Sequence, residues 1–505
     1  MNAGFTVVDA LVLVAYLAGT TALGIWVGRR QKGSKDYFVA GRQIPWWAVL
    51  FSIVATETSA LTFISIPGLA YMGDLGFLQV VAGYILGRIG VALLLLPRYY
   101  QGEIVTVYTL LQQRFGLATR RLTSIVFMVT RAMADSVRIF ATAIPVALIM
   151  GDSIPTAWAM PLSIVILGAV TIIYTYKGGM RAVVWTEILQ ASVYLLGGIS
   201  AVVILGQAVP GGWPAILSQA GAAGKLDAID FSFDISRPHT VWAGLIGGGF
   251  LSMASHGADQ LIVQRLLSSK NLREAQRAII GSGIVVFAQM ALFLVVGIGL
   301  WVHFGGEALP SDSVFPRFII EQMPAGLTGL LVAAIIAAAM STQSGSINSL
   351  AAASTHDIYM PLTRRAADDP ATFRAARRFT LLWGIALTGG ALLFRDQGTP
   401  AVVVALGIAS FTYGGLLGVF FLGNFWPRAA QRDAIVGVSI GITVMAFVVF
   451  AARLSERFPG MANALGPFAR IAWPWYVLIG TTITMIVGIT SSFLLPRPQR
   501  TGEGT

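Results

Sequence analysis

The sequence predicts an all-α protein that crosses a membrane many times. Of its 505 residues, 56% are hydrophobic and 11% are charged, whereas about 25% are charged in soluble globular domains. Apolar runs near the ~20 residues that cross a bilayer recur from one end of the chain to the other. Most charged residues lie in the short loops between these runs. No long polar stretch is left for a separate catalytic domain, so residues 1–505 are expected to form a single membrane domain.

Thirteen spans are predicted, at residues 6–28, 46–72, 77–96, 122–150, 156–176, 182–207, 239–265, 278–303, 324–355, 379–394, 400–424, 434–452 and 473–494. One side of the predicted membrane holds 24 of the 34 lysines and arginines, the other holds 7, and 3 lie within spans. The positive-inside rule makes the richer side cytoplasmic, which places the N-terminus outside and the C-terminus inside. We expect a plasma membrane location, such as a bacterial inner membrane, with the lipid bilayer as a partner.

The composition excludes several kinds of chemistry. The chain has no cysteine, so disulfides, thiolate catalysis and thiolate metal sites are absent. Its four histidines are scattered, and no nucleophile–base pair is visible, so an enzyme is not expected. The net charge of +11 lies mostly in short loops, which indicates membrane topology rather than nucleic-acid binding. A monomer is expected.

The second span is interrupted by polar residues. Five polar residues, including Glu57, fall within positions 56–62, and Pro67-Gly68 follows. A carboxylate at membrane depth is costly without a partner or water, and irregular backbone is tolerated only beside a cavity or within protein. One interpretation is therefore a broken helix at a ligand site. The other is an ordinary kinked span whose hydroxyls bond back to carbonyls of the preceding turn.

The seventh span carries a similar interruption. Three consecutive glycines, 247–249, are followed by six small or polar residues, namely Ser252, Ser255, His256, Gly257, Asp259 and Gln260. Five spans separate it from the second span, which reverses the membrane orientation. Residues 46–207 and 239–424 would then be inverted repeats, with peripheral helices at 6–28, 434–452 and 473–494. Paired interruptions in inverted repeats are typical of a transporter binding site.

The ninth span places hydroxyls after an alanine-rich run. The alanines allow another helix to approach closely, and Ser341, Thr342, Ser344 and Ser346 follow. Hydroxyls together with carbonyls from an unwound helix suit a small hard cation. The alternative is a helix–helix contact in which serine and threonine act as hydrogen-bonding groups.

Four motifs occur in order along the chain: DYFVAGRQIPWWAVLFSIVATETSA (36–60), KGGMRAVVWTEILQ (177–190), GADQLIVQRLLSSK (257–270) and AAIIAAAMST (333–342). In sequence, order and spacing the chain resembles the sodium/solute symporter family, which includes sodium–glucose, proline, pantothenate, sialic acid and iodide transporters. The resemblance implies a LeuT-type fold with two five-helix inverted repeats and broken second and seventh spans.

The resemblance also implies a Na⁺ site between the second and ninth spans. Its ligands would be the backbone carbonyls of Ala55, Thr58 and Ala338 and the hydroxyls of Ser341 and Thr342. Positions 338, 341 and 342 share one helical face, because they are three and four residues apart.

Family members carry an acidic residue after Trp-Thr on the sixth span, which is implicated in the ion path, and Glu187 occupies that position. In some members this residue joins a second sodium site with a further hydroxyl, which would be Ser344. Gly345 stands where members with the second site tend to have a hydroxyl, so one sodium ion is expected. The alternative for Glu187 is an ion pair with a cytoplasmic arginine such as Arg181.

Charged residues within the spans are the first candidates for solute binding. Glu57 departs from the family pattern, and could contact cation, solute or an arginine. Arg131, Asp135 and Arg138 share a face of the fourth span. They could form a ladder whose spare charge is neutralised by Glu57. Alternatively, Arg138 binds an anionic solute, as an arginine on this helix does in sialic acid transporters.

Arg88 on the third span is a further charged candidate. The remaining candidates for the solute-binding wall are Ser59, Ala60, Thr62, Phe63, Phe77, Tyr84, His256 and Gln260.

The expected function is sodium-coupled secondary active symport, in which a small organic solute is imported by alternating access. The solute is expected to be a sugar, an amino acid or an organic acid. Three alternatives remain open at this point: proton coupling through Glu57 or Glu187, a transporter-like sensor, and a passive channel.

Overall fold

The computed structural model describes residues 5–28, 42–101, 107–150, 155–175, 180–366, 369–395 and 400–494. The helices are α1 (Val7–Gly28), α2 (Trp46–Glu57), α3 (Ala60–Met72), α4 (Phe77–Tyr99), α5 (Val107–Phe115), α6 (Leu117–Met150), α7 (Thr156–Thr175), α8 (Met180–Ala208), α9 (Gly212–Ala222), α10 (Gly249–Gly257), α11 (Gln260–Leu267), α12 (Leu272–His303), α13 (Ser311–Gln322), α14 (Leu327–Ala353), α15 (Pro370–Leu393), α16 (Ala401–Phe425), α17 (Gln431–Arg457), α18 (Ala462–Ala469) and α19 (Trp475–Leu494). A π-helical segment, Ala243–Gly248, runs directly into α10, and another, Ser354–Tyr359, continues α14.

The helical content predicted from the sequence is confirmed. Every predicted span coincides with a helix, or with a pair of helices, over its described residues. In the described part of the chain, eight helices are long and apolar enough to cross a membrane, and the pair α2/α3 makes a ninth. By this criterion the count of thirteen spans remains a prediction, as do the boundaries of the two repeats.

The second span is broken, as predicted. α2 ends at Glu57 and α3 begins at Ala60, and the two axes differ by 60°. The hydroxyl of Thr58 donates to Gln289 Oε1 of α12 at 2.9 Å, and Thr62 Oγ1 donates to the Glu57 carbonyl at 3.1 Å. These side-chain contacts take the place of a regular helical ladder, so the irregular backbone is held within protein.

The seventh span is broken as well. α10 ends at Gly257, and Asp259 caps the N-terminus of α11 by accepting a hydrogen bond from the Leu261 N–H at 2.8 Å. An aspartate at this position satisfies an amide that has no partner within the helix and interacts favourably with the helix dipole. The break is therefore specified by a side chain rather than by glycine alone.

Small residues bring the seventh span against α4. A Cβ atom on Gly83 would lie 2.0 Å from the Gly244 carbonyl oxygen, and one on Gly87 would lie 2.1 Å from the Gly249 carbonyl oxygen. Only glycine permits this approach of the two backbones. The contact fixes the position of α10 relative to α4.

The first helix is attached to the start of α14. Asp9 Oδ1 accepts hydrogen bonds from the amides of Gly326 at 2.7 Å and Gly329 at 2.8 Å, and Asp9 is almost fully buried. The carboxylate thus satisfies amides at the α14 N-terminus, where the helix dipole favours negative charge. A peripheral helix in the sequence thereby supports the helix that carries the predicted sodium hydroxyls.

Candidate functional site

A cavity of about 110 Å³ lies where the two broken spans approach each other. Its walls come from the break in the second span, from α4, from α6, from the break in the seventh span and from α16. Because broken helices expose backbone polar groups and helix termini, a cavity at such breaks can bind a polar solute within the membrane.

Most of the predicted solute-binding residues line this cavity. They are Glu57, Ser59, Thr62, Phe77, Tyr84, Arg131, Arg138 and His256. Ala60 instead lines a neighbouring cavity of about 20 Å³.

Three predicted residues, namely Arg88, Phe63 and Gln260, lie outside the walls of both cavities. Phe63 is fully buried in an aromatic cluster, with ring centroids 4.9 to 5.3 Å from those of Tyr194, Phe293 and Phe315. Gln260 accepts a hydrogen bond from the Val107 amide at 2.7 Å, which directs its side chain toward α5. The side chain of Phe63 is therefore used for packing, and that of Gln260 for a hydrogen bond to a backbone amide.

Glu57 forms an ion pair with Arg88 rather than with Arg138. Arg88 is fully buried, and its Nη1 also donates to Ser282 Oγ of α12 at 2.7 Å. His256 Nε2 lies 3.4 Å from Glu57 Oε2, and its Nδ1 lies 2.8 Å from Ser255 Oγ. Glu57 retains a side chain that is 16% exposed, and this exposed portion faces the cavity.

Arg131 is held between two carboxylates. Its Nε lies 3.0 Å from Asp135 Oδ2, and its Nη1 lies 3.4 Å from Asp259 Oδ2, which also accepts the Tyr413 hydroxyl at 2.6 Å. The group links α6 and α16 to the residue at which the seventh span breaks. A buried guanidinium with two anionic partners is a structural element whose charge is already neutralised.

Arg138 is less constrained. Its nearest carboxylate oxygen is Asp135 Oδ1, 3.6 Å from Nε, and its side chain is 25% exposed against 8% for Arg131. Arg138 lines both the larger and the smaller cavity. Its guanidinium can therefore accept an additional anionic ligand in a bidentate geometry.

Among the described residues, the arginines and carboxylates that line the larger cavity, taken together with their ion-pair partners Arg88 and Asp135, carry equal and opposite formal charge. Three arginines face three carboxylates, namely Arg88, Arg131 and Arg138 against Glu57, Asp135 and Asp259. An added sodium ion would therefore leave a net positive charge, which a bound anion would neutralise.

The smaller cavity lies between the break in the second span, α6 and α14. Ser59 and Ala60 line it from one side, and Thr342 and Gln343 line it from the other. Among the predicted sodium ligands, Ala55 and Thr58 lie at the end of α2, and Ala338 and Thr342 lie on α14. Ala55, Thr58, Ala338 and Thr342 are all buried, and the side chain of Ser341 lies outside the described part.

Glu187 is engaged by residues of the two broken spans. Its Oε1 accepts from Arg265 Nη2 at 2.6 Å, and its Oε2 accepts from Ser52 Oγ at 2.5 Å. Thr56 Oγ1 lies 3.3 Å from Oε1. The expected alternative partner, Arg181, has a side chain outside the described part, whereas Ser344 is buried on α14.

The comparison with known families decides the class of the protein. The model of the sodium:solute symporter family matches residues 37–441. The chain belongs to the sodium:solute symporter family. It is therefore a multi-pass membrane transporter that couples the movement of a small solute to sodium, and sodium is the coupling ion.

Relatives and solved structures agree with this assignment. The symporter is 32% identical to the sodium/sialic acid symporter NanT of Aliivibrio fischeri, with 91% of each chain covered. It is 28% identical to the sodium-coupled monocarboxylate transporter 2 of Bos taurus, over 97% of this chain and 84% of that protein. A solved Na⁺-coupled sialic acid symporter, in a substrate-bound outward-open state, matches with a TM-score of 0.81 at 26% identity, over 97% of this chain and 99% of that one.

A second solved structure, a nucleobase–cation–symport-1 family transporter in a closed conformation, has a TM-score of 0.51 at 12% identity, over 90% of this chain and 93% of that one. The likeness extends only to the fold.

Sequence reasoning missed several members of the site. Arg265, Ser52 and Asp259 make central contacts. Because Arg265 is the last residue of the predicted seventh span, its position in the sequence favours a charge at the membrane surface over a buried partner. Tyr413 carries no signal in the sequence, since an isolated tyrosine in an apolar span is most often a packing residue. The signal in the sequence that favours a buried role for Arg265 is its place within the motif at 257–270.

Proposed function

We propose that this symporter imports a small organic acid that also carries hydrogen-bond donors, together with one sodium ion. The observation that carries the proposal is the position of Arg138, a partly exposed guanidinium on the wall of the larger cavity. Among the described residues it has one carboxylate within ion-pair distance, that of Asp135 at 3.6 Å. A carboxylate of the solute would bind this guanidinium through two parallel hydrogen bonds.

Other groups on the cavity wall would recognise the rest of the solute. Glu57, Tyr84, Ser252 and His256 line the same cavity. The carboxylate of Glu57 accepts hydrogen bonds only, so it would select a hydroxyl or an ammonium group over a second carboxylate. A hydroxylated or amino-bearing acid therefore suits the site better than a simple fatty acid or an unmodified sugar.

Sodium would bind between the break of the second span and α14. The support for this location is that Ser59, Ala60 and Thr342 line one small cavity, and that its volume of about 20 Å³ is on the scale of a single water molecule or small ion. Carbonyls and hydroxyls are suitable ligands for a hard cation. Thr342 lines this cavity. The other proposed ligands, Ala55, Thr58, Ala338 and Ser341, would complete the set from the end of α2 and from α14, with Glu187 and Ser344 lining the ion path.

Sodium binding and solute binding would be coupled because the two cavities share wall residues. Ser59 and Arg138 line both cavities, so an ion in the smaller one and an anion in the larger one would act on the same side chains. The opposite charges of the two ligands would make the coupling favourable, and thermodynamic linkage requires that each then tighten the binding of the other by the same factor. Inward opening would separate α14 from the second span and release both.

A proton-coupled mechanism has less support. Glu57 is paired with Arg88 and Glu187 with Arg265, so each carboxylate would have to break a buried ion pair before it could carry a proton. The charge distribution of the loops supports an external N-terminus. Import across a plasma membrane by a monomer completes the proposal.

The test is a thermal-shift screen of the purified protein with hydroxy acids, amino acids, their amides and neutral sugars, each with and without sodium. Stabilisation by an acid in sodium, without stabilisation by its amide, supports the proposal, because ligand binding to the folded state raises its stability. Equal stabilisation by acid and amide would exclude carboxylate recognition. Uptake into liposomes without sodium at varied pH distinguishes sodium from proton coupling.

A further inference from the structure

The segment that connects α9 to the seventh span exposes a row of large apolar side chains. Ile229, Phe231, Phe233 and Ile235 are 67%, 72%, 72% and 47% exposed, and they occupy alternate positions. We refer to these four side chains as the 229–235 ridge. Single exposed apolar residues are common on soluble surfaces, but a contiguous row of this size marks an interaction surface.

The polar residues between the ridge side chains form hydrogen bonds and an ion pair within the segment itself. Asp230 accepts a hydrogen bond from the Ser232 amide at 2.9 Å and pairs with Arg237 at 2.6 Å. Asp234 accepts from the Ser236 amide at 2.8 Å. The polar side chains are thus used for internal turns while the apolar ones point outward, which is the reverse of the pattern expected for a loop in water.

The backbone of the segment is fixed against the helices around it. The Asp230 amide donates to Gln79 Oε1 of α4 at 2.9 Å, and the Ala472 amide, just before α19, donates to the Ile235 carbonyl at 2.8 Å. Trp242 Nε1 donates to the Phe231 carbonyl at 3.1 Å. The ridge is therefore presented by an anchored backbone rather than by a freely moving loop.

The ridge is continuous with the outward face of the membrane-spanning helices. The ring of Phe233 lies 6.2 Å from that of Trp242 and 6.4 Å from that of Trp475. Trp242 and Ile246, one turn further along the seventh span, are 42% and 38% exposed. In a spanning helix such an exposed apolar face contacts lipid, and tryptophan is enriched at the depth of the headgroups.

We propose that the 229–235 ridge inserts into the interfacial region of the bilayer and anchors this segment to the membrane surface. Lipid is favoured over a protein partner because the ridge extends a lipid-facing surface at its headgroup end. Aromatic side chains, with their flat apolar bodies, suit this region. The proposal does not depend on the transported solute.

Site-directed spin labelling tests the proposal directly, because the chain contains no cysteine. Phe231→Cys and Phe233→Cys would carry labels on the ridge, whereas Ser232→Cys and Asp227→Cys are matched, exposed controls in the same segment. Each labelled full-length protein is placed in lipid nanodiscs, and its accessibility to oxygen is compared with that to a water-soluble nickel chelate. Two ridge positions are used so that the loss of one aromatic contact does not decide the result.

We expect the ratio of oxygen to nickel accessibility to be several-fold higher at both ridge positions than at both controls. Equal nickel accessibility at all four positions would overturn the proposal. Dipolar broadening that appears only in nanodiscs with two copies would also overturn it, since it would identify the ridge as an interface between copies. Each variant is required to retain the thermal stability of the unsubstituted protein in the same nanodiscs.

Discussion

Arg265 Nη2 donates a hydrogen bond to Glu187 Oε1 at 2.6 Å, and the two side chains are only 2% and 3% exposed. The pair joins α11, the second half of the broken seventh span, to α8. Ser52 of α2 contacts both partners, since it donates to Glu187 at 2.5 Å and accepts from Arg265 Nε at 3.2 Å. Three elements therefore meet at one buried, charged contact.

Removal of one partner of this pair should be strongly destabilising. Arg265→Met leaves the Glu187 carboxylate buried without its cation, which costs about 3–5 kcal/mol for a buried pair. The double variant Arg265→Met/Glu187→Leu removes both charges and should regain most of the loss. Melting temperatures in detergent measure both effects. If the double variant is at least as unstable as the single one, the pair does not behave as a compensated buried contact.

Thr342→Ala should raise the sodium concentration for half-maximal uptake. The loss of one hydroxyl from a charged ligand set costs about 1.5–3 kcal/mol, and 1.4 kcal/mol corresponds to about a tenfold change in affinity. Ser349→Ala is the matched control, because its hydroxyl bonds back to the Gly345 carbonyl of the same helix at 2.9 Å. Identical sodium dependence in Thr342→Ala and the control would contradict a sodium site at this helix face.

Arg138→Gln should weaken the binding of an acidic solute by roughly tenfold or more, because a charged bidentate contact is lost. Arg138→Lys should recover only part of the affinity, since lysine keeps the charge without the planar fork. Arg317→Gln is the control, as Arg317 is 38% exposed and pairs with Glu321 on α13. Solute titrations at saturating sodium measure the effect, and unchanged affinity in Arg138→Gln would exclude the proposed carboxylate contact.

Substitutions at the Glu57–Arg88 pair distinguish a structural role of the pair from a role in solute binding. Arg88→Met alone leaves an uncompensated carboxylate and should lower the melting temperature. Arg88→Met/Glu57→Gln should restore much of the stability. Its solute affinity should nonetheless remain low, because the carboxylate that accepts the solute's hydrogen bonds is gone. Recovery of both stability and affinity in the double variant would assign the pair a structural role only.

Gly87→Ala should destabilise the contact between α4 and the seventh span. The new Cβ would lie 2.1 Å from the Gly249 carbonyl oxygen, so the two backbones must separate, at a cost of about 1–3 kcal/mol or more. Gly407→Ala in α16 is the control, because a Cβ there meets nothing within 4 Å. A melting temperature of Gly87→Ala equal to that of Gly407→Ala would show that this approach of the helices is not needed.

The positions of both breaks could be predicted from the sequence. Polar residues and glycines within an apolar run are visible in composition alone, and Thr58–Ser59 and Ala258–Asp259 fall within those interruptions. The clustering of the predicted solute-binding residues on one cavity could be predicted as well, because charged side chains within spans face the protein interior and pair with one another.

The partners of individual charges could not be predicted. Whether Glu57 meets Arg88 or Arg138 depends on the rotation of α4 and α6 about their axes. For α4, the close contacts of Gly83 and Gly87 with the seventh span determine this rotation. For the same reason, the sequence does not predict whether the Phe63 ring faces the cavity or the protein core. Its partners Tyr194 and Phe293 come from distant helices, and no local pattern in the second span identifies them.

The bond between Asp9 and the Gly326 amide joins residues 317 positions apart. A ribosome that adds about 5–20 residues per second needs roughly 15–60 s to make the intervening chain. For all of that time the Asp9 carboxylate lacks the Gly326 amide that it accepts from in the folded protein. The start of α14 therefore takes its stabilising carboxylate from a segment that was synthesised much earlier, and a change at Asp9 would be felt only once α14 is in place.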